Sequence, residues 1–176
     1  VGPPRPVLLL YGFAGMIVVG TLLLLLPWST REGQTTSLID ALFTSTSAVC
    51  VTGLVVVETG SHWSQLGQGI ILLLIQLGGL GFMTSSTIFF LLIGHRITLR
   101  ERLLIREAIG VSALGGLVRL VKRIALLTLV IEALGVLLLL PGFLSHYAPA
   151  SALWRALFHS ISAFNNSGFD LLGSQS

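Results

Sequence analysis

Long apolar runs separated by short polar or basic stretches set the pattern of the 176-residue chain. Val7 to Leu26 runs 20 residues without a charge and stops at Pro27. Leu66 to Gly94 runs 29 residues without a charge. Ile124 to Leu140 holds 17 residues with one charge, Glu132, and meets Pro141. A bilayer core takes about 20 apolar residues in a helix. Each run therefore predicts a spanning helix, the second long enough to tilt or to extend past the membrane. The third is expected to close at Pro141. Ser37 to Val49 also reads as a helix, but one too short to span. Thr36 and Ser37 precede Leu38, and Asp40 follows Ser37 by three residues, a capping-box-like start.

Composition turns this pattern into a class. The chain is 53% hydrophobic and 10% charged, against about 25% charged in soluble domains. So few charges cannot cover a soluble surface, and the mean hydropathy of +0.93 agrees. The fold class expected is an all-α membrane protein. Seven of the ten basic residues fall in His95–Arg123: Arg96, Arg100, Arg102, Arg106, Arg119, Lys122 and Arg123. Lys/Arg excess marks the cytoplasmic side. The 95–123 segment, read as partly helical, and the N-terminus are thus expected inside, and the 37–60 and 151–173 regions open outside. The basic segment reads as a topology signal in contact with lipid headgroups, or as a docking point for a cytosolic partner. The opening "VGPPRPV" lacks Met, and Val7 onward is read as a retained helix rather than a cleaved leader. The chain is expected to be a piece of a longer product. A single cysteine, Cys50, rules out an intrachain disulfide framework and a Cys-rich metal site.

A repeat organises the chain. "LIDALFTSTSAVCVTGL" from Leu38 aligns without a gap on "LWRALFHSISAFNNSGF" from Leu153, at an offset of 115, with eight identities in 17 positions. The preceding runs match as well: "GTLLLLLP" from Gly20 resembles "GVLLLLP" from Gly135. The expected organisation is a first helix–loop–helix repeat over 1–94, a basic linker over 95–123, and the first helix and loop of a second repeat over 124–176.

Each short helix must begin and end on the outer side, because the next span runs inward. It is therefore read as a re-entrant half-helix followed by a return strand. Non-helical backbone at membrane depth is tolerated only when buried in protein or lining an aqueous cavity. The helix aims its C-terminal, negative dipole end at the membrane centre, which favours a cation there. Carbonyls of the returning backbone can replace an ion's hydration shell, and a glycine permits the backbone angles this needs. Cys50, Val51, Thr52 and Gly53 form one candidate sector, and Asn165, Asn166, Ser167 and Gly168 the other. A closed ring needs about four, so further sectors are expected elsewhere.

With "IDALFTSTSAVCVTGL", "LIQLGGLGFMT" and "FHSISAFNNSGF" in view, the chain resembles the Trk/Ktr/HKT superfamily of potassium transporters, most of all the membrane (pore) subunit of bacterial Ktr-type systems. The resemblance covers nearly the whole chain and both loops. It implies four helix–pore loop–helix repeats with pseudo-fourfold symmetry about one pore, of which this is an N-terminal fragment. It implies K⁺ uptake across the plasma membrane, with a filter glycine in each loop, here Gly53 and Gly168. Serine at the first-loop glycine goes with Na⁺-preferring plant members of the superfamily, so Gly53 points to K⁺. The resemblance further implies no cofactor, with Na⁺ as a coupling or activating ion as an option. Its partners are membrane lipid, a second copy in a homodimer and a cytosolic nucleotide-binding regulatory ring, with no nucleic acid. The gate is expected in the third repeat.

Other residues carry two readings each. Glu132, mid-span, is a buried carboxyl bonded to a neighbouring helix or protonated there, or else an ion-coupling group. Glu58 and Asp170 either raise the cation concentration at the outer mouth or are ordinary loop acids. "GGLGF" from Gly78 is read as small-residue packing against a pore loop rather than a phosphate loop, because it lacks the lysine and the preceding strand. Gln68 and Gln76 are read as bonding neighbouring helices. His159 is read as a packing and hydrogen-bonding residue, Cys50 as a small filter-wall residue, and the sequon at Asn165 as accidental. An enzyme is not expected. His62, His95, His146 and His159 make no pair at metal-ligand spacing, and no G-x-S-x-G occurs. A non-conducting regulatory or assembly subunit and a Na⁺-preferring transporter are the rival functions.

Overall fold

The computed structural model describes residues 5–31, 35–93 and 113–173. His95 and most of the basic linker lie outside the described residues. The described chain forms six helices: α1 (Arg5–Leu24), α2 (Leu38–Val49), α3 (Thr59–His62), α4 (Gln65–Ile93), α5 (Ala113–Leu144) and α6 (Pro149–Phe164). No strand occurs among the described residues, only an isolated bridge between Thr30 and Trp63. The expected all-α class holds. The return strands do not form, and turns stand in their place.

α1 has 20 residues, α4 has 29 and α5 has 32. At about 1.5 Å per residue each reaches at least ~30 Å, the thickness of a bilayer core. Within α5, Lys122–Leu144 is by length and composition able to cross a membrane. Its polarity is inverted relative to a soluble helix. Leu126, Leu127, Leu134, Leu137 and Leu138 are exposed, whereas Thr128 and Glu132 are buried. An apolar outside over a polar inside is what a lipid solvent demands.

α5 differs from the span expected from the sequence at both ends. It begins at Ala113, inside the linker, and continues through Pro141 to Leu144. Proline removes one backbone donor and bends a helix, but here the turn beyond it is held from outside. Phe143 packs on His159 of α6 with ring centroids 5.2 Å apart, and Ser145 Oγ donates to the Gly142 carbonyl at 2.7 Å.

α2 starts as its sequence predicts. The Asp40 amide donates to Ser37 Oγ at 3.1 Å, and the Ser37 amide donates to Asp40 Oδ2 at 3.4 Å, closing a capping box. α6 starts differently, with Ala148 at its N-cap and Pro149 in the first turn, where a missing amide proton costs nothing.

The repeat visible in the sequence recurs in the packing. Ser45 Oγ of α2 donates to the Ile17 carbonyl of α1 at 2.8 Å. Ser160 Oγ of α6 donates to the Glu132 carbonyl of α5 at 2.7 Å. Both pairs are related by the offset of 115. Each short helix lies against a glycine notch: a Cβ at Gly20 would meet Ser45 Oγ, and one at Gly135 would meet Ser160 Oγ. α4 wedges between the two copies. Gly78 abuts the Val49 backbone at the end of α2, and Gly79 abuts the Asn165 side chain at the end of α6. "GGLGF" thus packs as its small residues suggest. The core joins α2, α4 and α6 through Ala48, Val49, Ile71, Ile75, Phe158 and Phe169.

Candidate functional site

The two short helices end in the same way. Past the C-cap Cys50, Val51 has φ 55° and Gly53 φ 71°. Past the C-cap Asn165, Asn166 has φ 55° and Gly168 φ 75°. In the first copy the Thr52 amide donates to the Ser47 carbonyl at 2.9 Å, and the Val51 amide to the Ala48 carbonyl at 3.2 Å. In the second, the Ser167 amide donates to the Ser162 carbonyl at 2.8 Å, and the Asn166 amide to the Ala163 carbonyl at 3.0 Å. These are two Schellman endings, usually built on a left-handed glycine. Asparagine suits that position; valine, β-branched, does not.

Such an ending satisfies the helix's own last carbonyls and leaves those of the turn. The carbonyls of Cys50–Gly53 and Asn165–Gly168 accept no hydrogen bond from the described residues. The turns meet at their glycines. A Cβ on Gly168 would stand 3.4 Å from the Gly53 Cα, and one on Gly53 would stand 3.0 Å from the Gly168 Cα while overlapping the Ser167 carbonyl oxygen. The eight residues singled out in the sequence therefore form two adjoining turns of matching φ, whose oxygens accept no hydrogen bond from the described residues.

Hydroxyls brace both turns. Thr52 Oγ1 donates to Ser47 Oγ at 2.9 Å, and Ser162 Oγ and Ser167 Oγ lie 2.8 Å apart. The second turn has additional supports. Ser162 Oγ donates to the Phe169 carbonyl at 2.6 Å. Asn165 Nδ2 donates to the Ile161 carbonyl and to Gln76 Oε1, both at 3.0 Å. Gln76 Nε2 in turn donates to Glu132 Oε2 at 3.2 Å. Of the two readings of Glu132, bonding to a neighbouring helix is the one with contacts on display. Gln68 likewise bridges helices, accepting from Trp154 Nε1 at 2.7 Å and donating to the Trp63 carbonyl at 3.0 Å.

Arg155 is a site residue that sequence reasoning missed. Its Nη1 donates to the Leu171 carbonyl at 2.6 Å, and its guanidinium lies 4.2 Å over the Tyr147 ring. It holds the chain leaving the second turn. The sequence signal was its place in the repeat, opposite Asp40, where a reversal of charge marks a change of task. His159 works beside it, donating through Nδ1 to the Arg155 carbonyl at 2.8 Å and accepting from the Leu171 amide through Nε2 at 3.4 Å.

The acids lie beyond the turns. Glu58 accepts from Ser61 Oγ at 2.6 Å and its carboxylate abuts Gly173. Asp170 accepts from the Leu172 and Gly173 amides at 2.8 and 3.1 Å. Both flank Gly173, so the loops leaving the two turns converge. His62 is buried with Nε2 2.8 Å from Thr36 Oγ1. Burial lowers its pKa from 6.5, and the Asp40 charge opposes that shift. His146 lies apart, on the exposed loop after α5. No group of three His, Cys, Asp or Glu side chains that could hold a metal occurs among the described residues. Cys50 is exposed.

Comparison with known proteins adds a family and relatives. The model of the family described as cation transport protein, TrkH, matches residues 14–176. The chain is 45% identical to the Ktr system potassium uptake protein B of Bacillus subtilis over 166 residues, which is 94% of this chain and 37% of that protein. It is 44% identical to the protein of the same name from Vibrio alginolyticus over 170 residues, 97% of this chain and 36% of the relative. It is 41% identical to the potassium/sodium uptake protein NtpJ of Enterococcus hirae over 162 residues, 92% of this chain and 36% of the relative. The chain thus spans little more than a third of the length of these curated relatives.

Proposed function

The chain belongs to the TrkH family of cation transport proteins, membrane transporters rather than enzymes, and on that premise we propose that it forms part of a potassium-uptake pore. The carbonyls of Cys50–Gly53 and Asn165–Gly168 supply two sectors of a selectivity filter. They replace the hydration shell of K⁺ as it enters. The observation that carries this reading is the duplicated turn. Two helix ends with closely matching φ angles meet at Gly53 and Gly168, and the carbonyls of both turns accept no hydrogen bond from the described residues. Two sectors leave a ring open, so the whole pore belongs to the longer protein, with further helix–pore loop–helix repeats closing it in pseudo-fourfold symmetry.

α1, α4 and α5 then cross the plasma membrane, with 95–123 and the N-terminus in the cytoplasm and both turns open to the outside. The division into a first repeat over 1–94, a linker over 95–123 and a second repeat from 124 follows from the same reading. Glu58 and Asp170 lie at the outer mouth, where their charge attracts cations. The proposed assembly is a homodimer on a cytosolic nucleotide-binding ring, and the Ktr system names of two relatives support a membrane subunit working with other components. The name of the Enterococcus relative includes sodium, so a Na⁺-preferring or Na⁺-coupled transporter is the second reading.

The test is uptake by the full-length protein, expressed with its cytosolic partner in cells lacking their own K⁺ uptake. Growth at low K⁺ and K⁺ accumulation ahead of Na⁺ are the expected results. Accumulation of Na⁺ ahead of K⁺ selects the second reading. Correct membrane expression without uptake of either ion overturns both.

A further inference from the structure

Glu132 and Asn165 are related to Ile17 and Cys50 by the repeat offset of 115. The first copy therefore has no polar pair where the second has two buried polar residues, 4% and 7% exposed. Gln76 of α4 joins them. Its Nε2 donates to Glu132 Oε2 at 3.2 Å, and its Oε1 accepts from Asn165 Nδ2 at 3.0 Å. Among the described residues, neither Glu132 Oε1 nor Asn165 Oδ1 has a hydrogen-bond partner. The chain of contacts is thus linear, running from α5 through α4 to the C-cap of α6.

Its direction is set at one end. An amide can present either its oxygen or its nitrogen to a neighbour. Glu132 Oε2 is the acceptor in this contact, so Glu132 draws the Gln76 amino group toward itself. That leaves the Gln76 oxygen facing Asn165, where it joins the Ile161 carbonyl as a second acceptor for Asn165 Nδ2. Asn165 is the residue from which the second turn departs. We infer that Glu132 is a positioning residue for the second turn, acting through Gln76 to orient Asn165 and hold that turn in register against Gly53. The inference rests on the reading of the turns as filter sectors and adds a specificity-determining role to residues outside them. Glu132 lies in the span before the turn and reaches it through Gln76.

Near-isosteric exchanges of carboxyl and amide test the relay in the full-length protein, with K⁺ and Na⁺ uptake normalised to the amount in the membrane. Gln76→Glu faces two acceptors across the first contact and breaks it. Its K⁺:Na⁺ ratio should fall by about tenfold, the upper scale of one lost hydrogen bond. Adding Glu132→Gln to that variant restores a donor facing an acceptor and reverses the charged end. The ratio should return to within about twofold of wild type. Packing alone would not rescue, because all the variants have nearly the same volume. Should Gln76→Glu not accumulate, Gln76→Leu removes the same donor and acceptor without adding a charge, and should show the same loss. Wild-type selectivity in the broken variant, or no recovery in the exchanged pair, overturns the inference. A wild-type protein that does not prefer K⁺ is a different failure, that of the filter reading.

Discussion

Gly53 and Gly168 share a conformation but not a neighbourhood, and alanine at each separates the two. Both lie in the left-handed region, at φ 71° and 75°. The added Cβ costs about 1–2 kcal/mol at either position. At Gly168 that is nearly all, because the Cβ meets only the Gly53 Cα, at an ordinary contact distance of 3.4 Å. At Gly53 the Cβ overlaps the Ser167 carbonyl oxygen and stands 3.0 Å from the Gly168 Cα. Backbone must move there, and what moves is a carbonyl of the opposite turn. Gly168→Ala should therefore destabilise by ~1–2 kcal/mol and lower the K⁺:Na⁺ uptake ratio by less than Gly53→Ala does. Gly53→Ala should destabilise by more and lower the ratio by about tenfold or beyond, equivalent to ~1.4 kcal/mol of lost discrimination. The assay is ion uptake by the full-length variants in cells without their own K⁺ uptake, normalised to membrane abundance. Thermal melting in detergent gives the stability arm. Equal loss of selectivity in the two variants, or a larger loss at Gly168, would refute the reasoning, because the only difference invoked is the carbonyl beside Gly53.

Val51→Gly should stabilise the protein by up to about 1 kcal/mol, because the left-handed strain of a β-branched residue exceeds the chain-entropy cost of glycine. Asn166→Gly should be close to neutral, and a melting temperature that rises no more for the first than for the second counts against the strain assignment. His62 gives a pH dependence of known sign. Its folded pKa lies below its unfolded value of 6.5, chiefly through burial, so below pH 6.5 the unfolded chain binds more protons. Its contribution to stability is complete above pH 6.5 and is lost as pH falls toward the lowered folded value. Melting temperatures of the wild type and of His62→Gln, scanned from pH 8 to pH 5, should diverge in slope over that window, and parallel curves would remove His62 as the cause.

Much of the fold was legible because the features that carry it are local or repeated. The Ser37–Asp40 spacing predicts a cap that forms with both of its bonds. The eight matched positions of the repeat predict a common backbone, and the matched dihedral angles of 51 with 166 and 53 with 168 agree with it. Gly78 and Gly79 pack as small residues should. What the sequence did not reveal depends on partners distant in the chain. Pro141 stays helical because Phe143 packs on His159, a contact that no local rule anticipates. The task of Arg155 depends on Leu171 and Tyr147 arriving beside it. The return strands were expected from the need to reverse the chain, but left-handed residues at Val51 and Asn166 reverse it within a turn. Valine gives no local warning of this. Its repeat-mate asparagine does.

The Schellman endings bear on biogenesis. The backbone hydrogen bonds that close each turn join residues no more than five apart, as with Thr52 to Ser47 and Ser167 to Ser162. Short-range closures form fast and with little loss of chain entropy. Each short helix and its turn can therefore acquire their shape before the later segments have left the ribosome. What must wait for them is the spacing between the turns. Synthesis would proceed by docking finished corners against one another, and a fault in a late segment would leave the early corners intact but misplaced.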